Sequence, residues 1–469
     1  MPIRKALEHL RHDLKRIRTK DTFARNAFTV FGGNSVVVLS QLLLTPLIAR
    51  IYGPEAYGIY GLFGALVINF SAFADMGYSN AYVLPKEKER FLHLFRLNSF
   101  LLSIVVVVAL VVALLRDPLY AALPAWAPLG NFILLLPVGV LSYGMAVFGT
   151  QWLTRERNFK ASVYIGSSAT VVMRVFNLCF GLLRKGSLHG LIIGDVVVNA
   201  MATVAYSLTL WRSGLRELFS GWRWQGIKEL AFEFKRYPLL IFPDRWVGVL
   251  GMQLPVFLLI ADPVVVGQYA LSGSLLMIPL RVLGYSFSTV FIQKAAETVD
   301  TDPELLGRIT RGLYQRLFWV GLVPFTCMVF FSDVVFAFVL GEAWHDAGVI
   351  TAYMGLFFFF RLMSEPMVAL FYAQRREHVT LIFQLVLTVV RLAVMLPLIH
   401  FGFGSGPAIL GFSAVSALGY LMLGYIMLHS CKQDAARLTV RTVIITTVAC
   451  GFFALLRYLI MGSWWPTLQ

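Results

Sequence analysis

Charged side chains are scarce in this chain, making up 14% of its 469 residues, where soluble domains carry about 25%. That shortage excludes a solvated globular surface. Cysteine is scarce too: Cys179, Cys327, Cys431 and Cys450 form no Cys-x-x-Cys pair, and three of them lie in or beside apolar segments. A disulfide framework and a zinc site are thereby excluded. The loops contain no nucleotide-binding glycine motif, no metal-ligand cluster and no nucleophile constellation, so no catalytic or metal-binding residue is assigned and no cofactor is expected. A cleavable signal peptide is not expected either, because the first apolar run begins near Phe28 and is too long for an h-region.

What the chain has in abundance is long hydrophobic segments. Hydrophobic residues make up 58% of it and its mean hydropathy is +0.73. Apolar spans are predicted at 27–51, 57–80, 97–116, 131–153, 161–183, 189–211, 238–260, 264–292, 314–340, 348–372, 379–401, 408–429 and 442–462, each long enough to cross a hydrocarbon core of roughly 30 Å. The fold class is therefore all-α, a polytopic membrane protein with 12–13 transmembrane helices. Of the 40 Lys and Arg residues, 29 fall in the N-terminus and every second loop, against three (Arg116, Arg184 and Lys185) in the alternate loops. This asymmetry predicts a cytoplasmic N-terminus. It also explains the net charge of +15 without a nucleic-acid partner, since no basic stretch is interleaved with stacking aromatics.

Two basic segments are amphipathic. Ile3, Leu7, Leu10, Leu14 and Ile17 share one helical face, and Trp211, Leu215, Leu218, Trp222, Leu230 and Phe234 make a stripe through the long loop at mid-chain. Both are expected to lie on anionic inner-membrane lipids. The expected organisation is a basic segment 1–26, a first six-helix bundle 27–211, an amphipathic connector 212–237, a second bundle 238–429, and a loop with one further helix at 430–469.

The two halves share a pattern. Gly53-Pro54-Glu55-Ala56-Tyr57-Gly58-Ile59-Tyr60-Gly61-Leu62-Phe63-Gly64 and Asp262-Pro263-Val264-Val265-Val266-Gly267-Gln268-Tyr269-Ala270-Leu271-Ser272-Gly273 match in Pro, Gly, Tyr, Leu and Gly at an offset of 209 residues. Each copy sits at the turn between the first two spans of its half. An even number of spans separates them, which predicts a parallel repeat about an axis along the membrane normal.

The same residues carry a family resemblance. Leu44-Thr45-Pro46-Leu47-Ile48-Ala49-Arg50-Ile51-Tyr52-Gly53-Pro54-Glu55-Ala56-Tyr57-Gly58 and Ala74-Asp75-Met76-Gly77-Tyr78-Ser79-Asn80-Ala81 resemble the signatures of bacterial polysaccharide flippases. These belong to the multidrug/oligosaccharidyl-lipid/polysaccharide exporter superfamily. The resemblance implies two six-helix bundles around a central cavity that alternates between leaflets of the inner membrane. It further implies an undecaprenyl-pyrophosphate-linked oligosaccharide as cargo, for O-antigen, capsule or exopolysaccharide, with other polysaccharide-assembly proteins as partners. A thirteenth span departs from the twelve or fourteen usual in the family.

Arginines inside spans sharpen this expectation. Arg174, Arg281, Arg361 and Arg391 lie well within apolar segments, with Arg245 shallower. Each costs about 2.5–3.5 kcal/mol at a helix centre, so each is expected to meet water, a partner or cargo. All five are candidate substrate-binding residues, because guanidinium grips phosphate oxygens in a bidentate fork. Arg361 has a competing partner in Glu365 one turn on. Arg50, Arg316 and Arg457 near span ends are expected to snorkel. Asn34, Gln41, Thr170, Asn177, Ser274 and Tyr285 are candidate cavity-lining residues. Asp75 and Asp195 are candidate carboxylates for coupling to an H+ or Na+ gradient, weighed against a capping role. Two other functions compete. A multidrug exporter of the same superfamily would want acids, not arginines, for its cationic cargo. A polyprenyl-linked sugar polymerase or ligase would want a larger external loop than the apolar stretch at 117–130.

Overall fold

The computed structural model describes residues 22–184, 186–218 and 222–468, and among them every regular element is helical. The amphipathic face at residues 3–17 lies outside the described residues. Among the described residues, eleven helices are long and apolar enough to cross a membrane. The thirteen predicted spans are nonetheless all present. Thr22–Asp75 contains two of them, broken at Gly53, where φ 72 and ψ 172 leave the helical region. A glycine adopts that backbone at no steric cost, and Pro54 after it disfavours a helical residue before it. The two arms run in opposite directions. Gly33 lies against Val163 and Ser167 at one end of the fifth span while Gly181 at the other end touches Ile51 and Tyr52. After the break the chain returns, so that Asp75 bonds Asn98 in the third span. The other uncounted span is the seventh, where Phe242–Leu258 has 17 residues and is extended by a π-helical turn, Tyr237–Ile241.

The remaining spans are Lys88–Leu114, Leu136–Arg155, Phe159–Leu183 and His189–Ser213 in the first half. In the second half the eighth span runs from Pro263–Pro279 through a π-helical turn, Leu280–Gly284, into Tyr285–Thr298. Pro303–Leu340, His345–Ser364, Glu377–His400 and Ser405–Ser430 are spans nine to twelve, and Ala435–Met461 is the thirteenth. Spans 1–6 pack as one bundle and spans 7–12 as another, with spans 1 and 2 crossing span 8 at the centre. By the alternation of the spans, the loops at 76–87, 156–158, 214–218, 222–236, 299–302, 374–376 and 431–434 share one face of the molecule, the basic face.

The repeat appears as a reciprocal contact. A Cβ at Gly58 would stand 1.8 Å from the Pro263 carbonyl oxygen, and a Cβ at Gly267 would stand 1.8 Å from the Pro54 oxygen. Gly58 and Gly267, like Pro54 and Pro263, are partners at the 209-residue offset. Mutual contact of equivalent positions is the signature of a twofold axis. It lies between the bundles on the face opposite the basic one. Arg50 reinforces that seal by donating to Phe338 O (2.7 Å) and Val339 O (3.1 Å), as does Trp344 by donating to Ala49 O (3.0 Å).

The expectation for Arg457 changes, and the connector lies against the first bundle. Lys88 pairs with Glu217 at 2.6 Å, Arg90 pairs with Glu233, and buried Arg96 donates to the carbonyls of Glu217 (2.8 Å) and Leu218 (3.1 Å). It is thus fastened to span 3 of the first bundle. Arg457 does not snorkel. Its guanidinium and the Asp333 carboxylate are each 4% exposed and make paired bonds of 2.8 and 2.6 Å, tying span 13 to span 9. Charge complementarity outcompeted the route to water.

Removing one partner of such a pair costs about 3–5 kcal/mol, while replacing both with apolar groups is often neutral. Arg457→Leu is therefore expected to lower the melting temperature steeply and Arg457→Leu with Asp333→Leu to recover it. Thermal unfolding in detergent checks this, and equal losses in single and double variants would refute it.

Candidate functional site

The five intramembrane arginines separate into three places. Arg174 projects from span 5 toward the seam between the bundles, where Nη1 donates to Thr45 Oγ1 at 3.0 Å. Its Nε is buried without a hydrogen-bond partner among the described residues. Arg281 belongs to the other bundle. It is exposed on the π-helical turn of span 8 and lies close enough to Arg174 for their charges to interact. Single π-turns inside α-helices recur at functional sites because the extra residue re-aims the side chains. Like charges this near repel, and an anion between them would offset the repulsion.

Around this pair the first bundle supplies phenols and a carboxylate. Tyr57 and Tyr60 lie within electrostatic range of Arg174, Tyr60 also within that of Asp195, and Tyr143 within that of Arg281. Asp195 accepts from Asn199 Nδ2 at 2.9 Å. Tyr57, Tyr60 and Tyr143 were not singled out from the sequence. The first two occupy the repeated motif three residues apart, on one face of span 2, and that spacing was the available signal.

Arg361 and Arg391 sit elsewhere, inside the second bundle. Arg361 makes the i,i+4 fork with Glu365, Nε to Oε2 at 2.7 Å and Nη2 to Oε1 at 3.1 Å. Arg391 is 0% exposed. Its Nε donates to Ser416 Oγ at 2.9 Å and its guanidinium lies 4.8 Å from the Phe412 ring centre. The expected cavity position for Arg391 is thus corrected to a packed interior. The polar face of span 11 meets the glycine face of span 7, with Gly248 against Gln384 and Gly251 against Thr388 and Arg391. A desolvated cation over an aromatic ring gains about 2 kcal/mol, and Arg391 makes that contact while its Nη1 is buried without a hydrogen-bond partner among the described residues. Both guanidiniums also approach Met252 Sδ, at 3.6 and 3.9 Å.

Arg245 occupies the third place, the seam of spans 2 and 7 near the basic face, where it donates to Asn80 Oδ1 at 3.1 Å. Its neighbour Asp244 turns away and accepts from Tyr372 at 3.1 Å. Asp75 is also committed, accepting from Ser79 N and Asn98 Nδ2, each at 3.0 Å, so it caps the turn Tyr78–Ala81.

The polar residues expected to line the cavity divide as well. Gln41 is buried and donates to Ser274 O at 3.3 Å, bridging spans 1 and 8. Asn34 and Ser274 are exposed, and Thr170 bonds back to Gly166 O at 3.0 Å on its own helix. Asn177 is buried, its carbonyl accepting from Tyr52 at 2.8 Å. The side chain of Tyr285 lies outside the described residues. No group of His, Cys, Asp and Glu able to hold a metal ion occurs among the described residues.

A family described as polysaccharide biosynthesis protein matches residues 47–349. Among solved structures, the chain is similar to the lipid II flippase MurJ in an inward closed conformation, at 14% identity and TM-score 0.66, covering 93% of this chain and 97% of that one. It is also similar to an inward-facing multidrug resistance MATE family transporter of the MOP superfamily, at 15% identity and TM-score 0.60, covering 86% and 95%. A third is a MOP superfamily transporter from Pyrococcus furiosus described by the reverse polarity of its binding pocket, at 15% identity and TM-score 0.55, covering 87% and 96%. At these identities the likeness concerns the fold. No curated protein matches the chain.

Proposed function

The chain belongs to the family of polysaccharide biosynthesis proteins, and from that premise we propose that it flips an undecaprenyl-pyrophosphate-linked oligosaccharide across the bacterial inner membrane. Its fold is a transporter fold. The observation that supports the reading is the proximity of Arg174 and Arg281, one from each bundle, with the Arg174 Nε buried and without a hydrogen-bond partner among the described residues. A pyrophosphate brings oxygens enough to engage both guanidiniums, and charge-assisted bonds to it are the strong ones. Because the two cations belong to different bundles, the cargo head would draw the bundles together, while the lipid tail stays in the bilayer. Asp195, beside Tyr60 and Asn199, is the carboxylate proposed to exchange a coupling ion with the cavity. A cationic drug gains nothing from two arginines, which disfavours the multidrug reading.

Deleting the gene tests the reading. Surface glycan should disappear while its lipid-linked precursor accumulates in the leaflet where it is made. Purified protein in vesicles should move a fluorescent lipid-linked oligosaccharide between leaflets. Transport of cationic dyes at an unchanged rate in place of that lipid would overturn the assignment.

In this proposal the basic face is cytoplasmic, so the sealed Gly58–Pro263 side is periplasmic. Single cysteines at two exposed positions, Ala343 and Gln225, read the orientation directly. An impermeant maleimide added to intact cells should label the first and spare the second. The reverse pattern would invert the topology.

A further inference from the structure

Span 4, Leu136–Arg155, has two opposite sides. Val138 and Leu141 are exposed on one of them and make its lipid-facing stripe. At 3.6 residues per turn, Tyr143 points about 170° away from the line midway between those two. Gly139, one turn earlier on the Tyr143 side, packs on Val67 and Phe63 of span 2. That side therefore faces the interior of the protein, yet Tyr143 is 43% exposed. Exposure on an interior side means that the ring borders open space between the helices.

The charges in range locate that space. Tyr143 lies within electrostatic range of Arg281 of the other bundle and of Asp75, at the end of span 2 nearer the basic face. The space thus runs from the arginine pair past this ring toward the basic face. Span 2 agrees, because Tyr57, Ile68, Ala72 and Asp75 fall on one helical side and all are partly exposed. The Tyr143 side chain makes no hydrogen bond and no ring contact among the described residues. A phenol at this depth carries a polar group that water or a ligand has to meet.

We propose that Tyr143 is the platform on which the sugar next to the pyrophosphate stacks, and that it selects cargo by that sugar. The inference rests on the proposed function, since a head held by Arg174 and Arg281 is what brings a sugar to this ring. A pyranose presents C–H groups on its flat face and hydroxyls around its rim. The C–H face packs on the aromatic ring as an apolar surface, and a rim hydroxyl reaches the phenol. Equatorial substituents leave that face flat, whereas an axial hydroxyl on it lifts the sugar off the ring. The arginine pair alone reads only phosphate, which a bare prenyl diphosphate presents equally well. Tyr143 is the residue that distinguishes a sugar-bearing lipid from the bare carrier.

The test measures equilibrium binding to the full chain in nanodiscs with two probes. One is a short prenyl diphosphate bearing a single gluco-configured sugar, and the other is the same diphosphate without sugar. Wild type should bind the first at least tenfold more tightly. Tyr143→Ala should lose that preference while binding the bare diphosphate as wild type does. Tyr143→Phe, which keeps the ring, should retain the preference to within about threefold. Tyr143→Leu keeps bulk without an aromatic face and serves should the alanine variant fail to fold, with wild-type melting temperatures identifying folded protein. Arg174→Ala should weaken both probes alike. An unchanged preference in folded Tyr143→Ala or Tyr143→Leu overturns the proposal, and so does an equal loss of both probes in them. Wild type that binds neither probe would instead sink the flippase reading, and this subsite with it.

Discussion

Alanine at Arg174 or at Arg281 is expected to abolish glycan export while leaving the protein folded and inserted. Each guanidinium lies at the seam between the bundles, so its removal opens no packed core. A hydrogen bond to a charged group contributes about 1.5–3 kcal/mol, which at 1.4 kcal/mol per tenfold predicts losses of roughly 10- to 150-fold per arginine. Lysine should recover part of the activity, since it keeps the charge and loses the planar fork. Arg391→Ala should behave differently. That side chain fills a space between Phe357, Phe412 and Ser416, so its loss should appear as lower expression and a lower melting temperature. Surface glycan, protein level and thermal stability measured on the same variants separate the two patterns. Stable Arg174→Ala and Arg281→Ala proteins that export normally would leave the pyrophosphate reading without its main support.

That division among the arginines shows where a sequence stops being informative. Depth in the membrane is one-dimensional, so span positions and the excess of buried cations were legible from the order of residues alone. The Arg361–Glu365 pair was legible too, because both partners lie on one helix within one turn. Pairs such as Arg457 with Asp333, 124 residues apart, depend on which helices become neighbours, and no local pattern records that. Arg391 makes the same point from the other side. Its helical face is polar, as a cavity face would be, yet Gly248 and Gly251 on span 7 make that face a close helix contact. Small residues on a partner helix decide between the two, and the partner has to be known first.

The connector shifts the account of motion in a similar way. Its amphipathic stripe suggested a surface helix between two moving halves, but the ion pairs to Lys88 and Arg90 give it to the first bundle. The change in direction between bundles then falls at residues 234–241, which end in the π-helical turn Tyr237–Ile241. Arg236, paired with Glu377, ties this joint to span 11. A proposed hinge a few residues long concentrates the backbone change where Pro238 and Pro243 already weaken the helical ladder.

Gly58→Ala and Gly267→Ala are expected to stop export by holding the sealed face apart. In a helix interior, glycine to alanine ordinarily stabilises by about 1 kcal/mol. Here the added methyl would meet a backbone carbonyl at 1.8 Å, and a carbonyl fixed in its own helix cannot rotate away as a side chain would. The bundles must separate on that face by more than an ångström, which disrupts the neighbouring bonds from Arg50 and Trp344 to the carbonyls of Phe338, Val339 and Ala49. Overpacking of this kind costs about 1–3 kcal/mol, charged only to the state in which the face is closed. The ordinary gain from alanine is common to both states, so the equilibrium should shift by roughly 5- to 150-fold toward opening on that side. Gly64→Ala is the matched control, since a Cβ there meets nothing within 4 Å. It should export normally and melt slightly higher. A cysteine introduced at Val265, near the contact, should become more reactive to an impermeant reagent in the Gly58→Ala protein than in the Gly64→Ala protein. Because Gly58 and Gly267 are equivalent about the axis, either substitution alone should give the same phenotype, and the pair together should add little once the face is open. Normal export by both single variants would show that this contact is not made during the cycle.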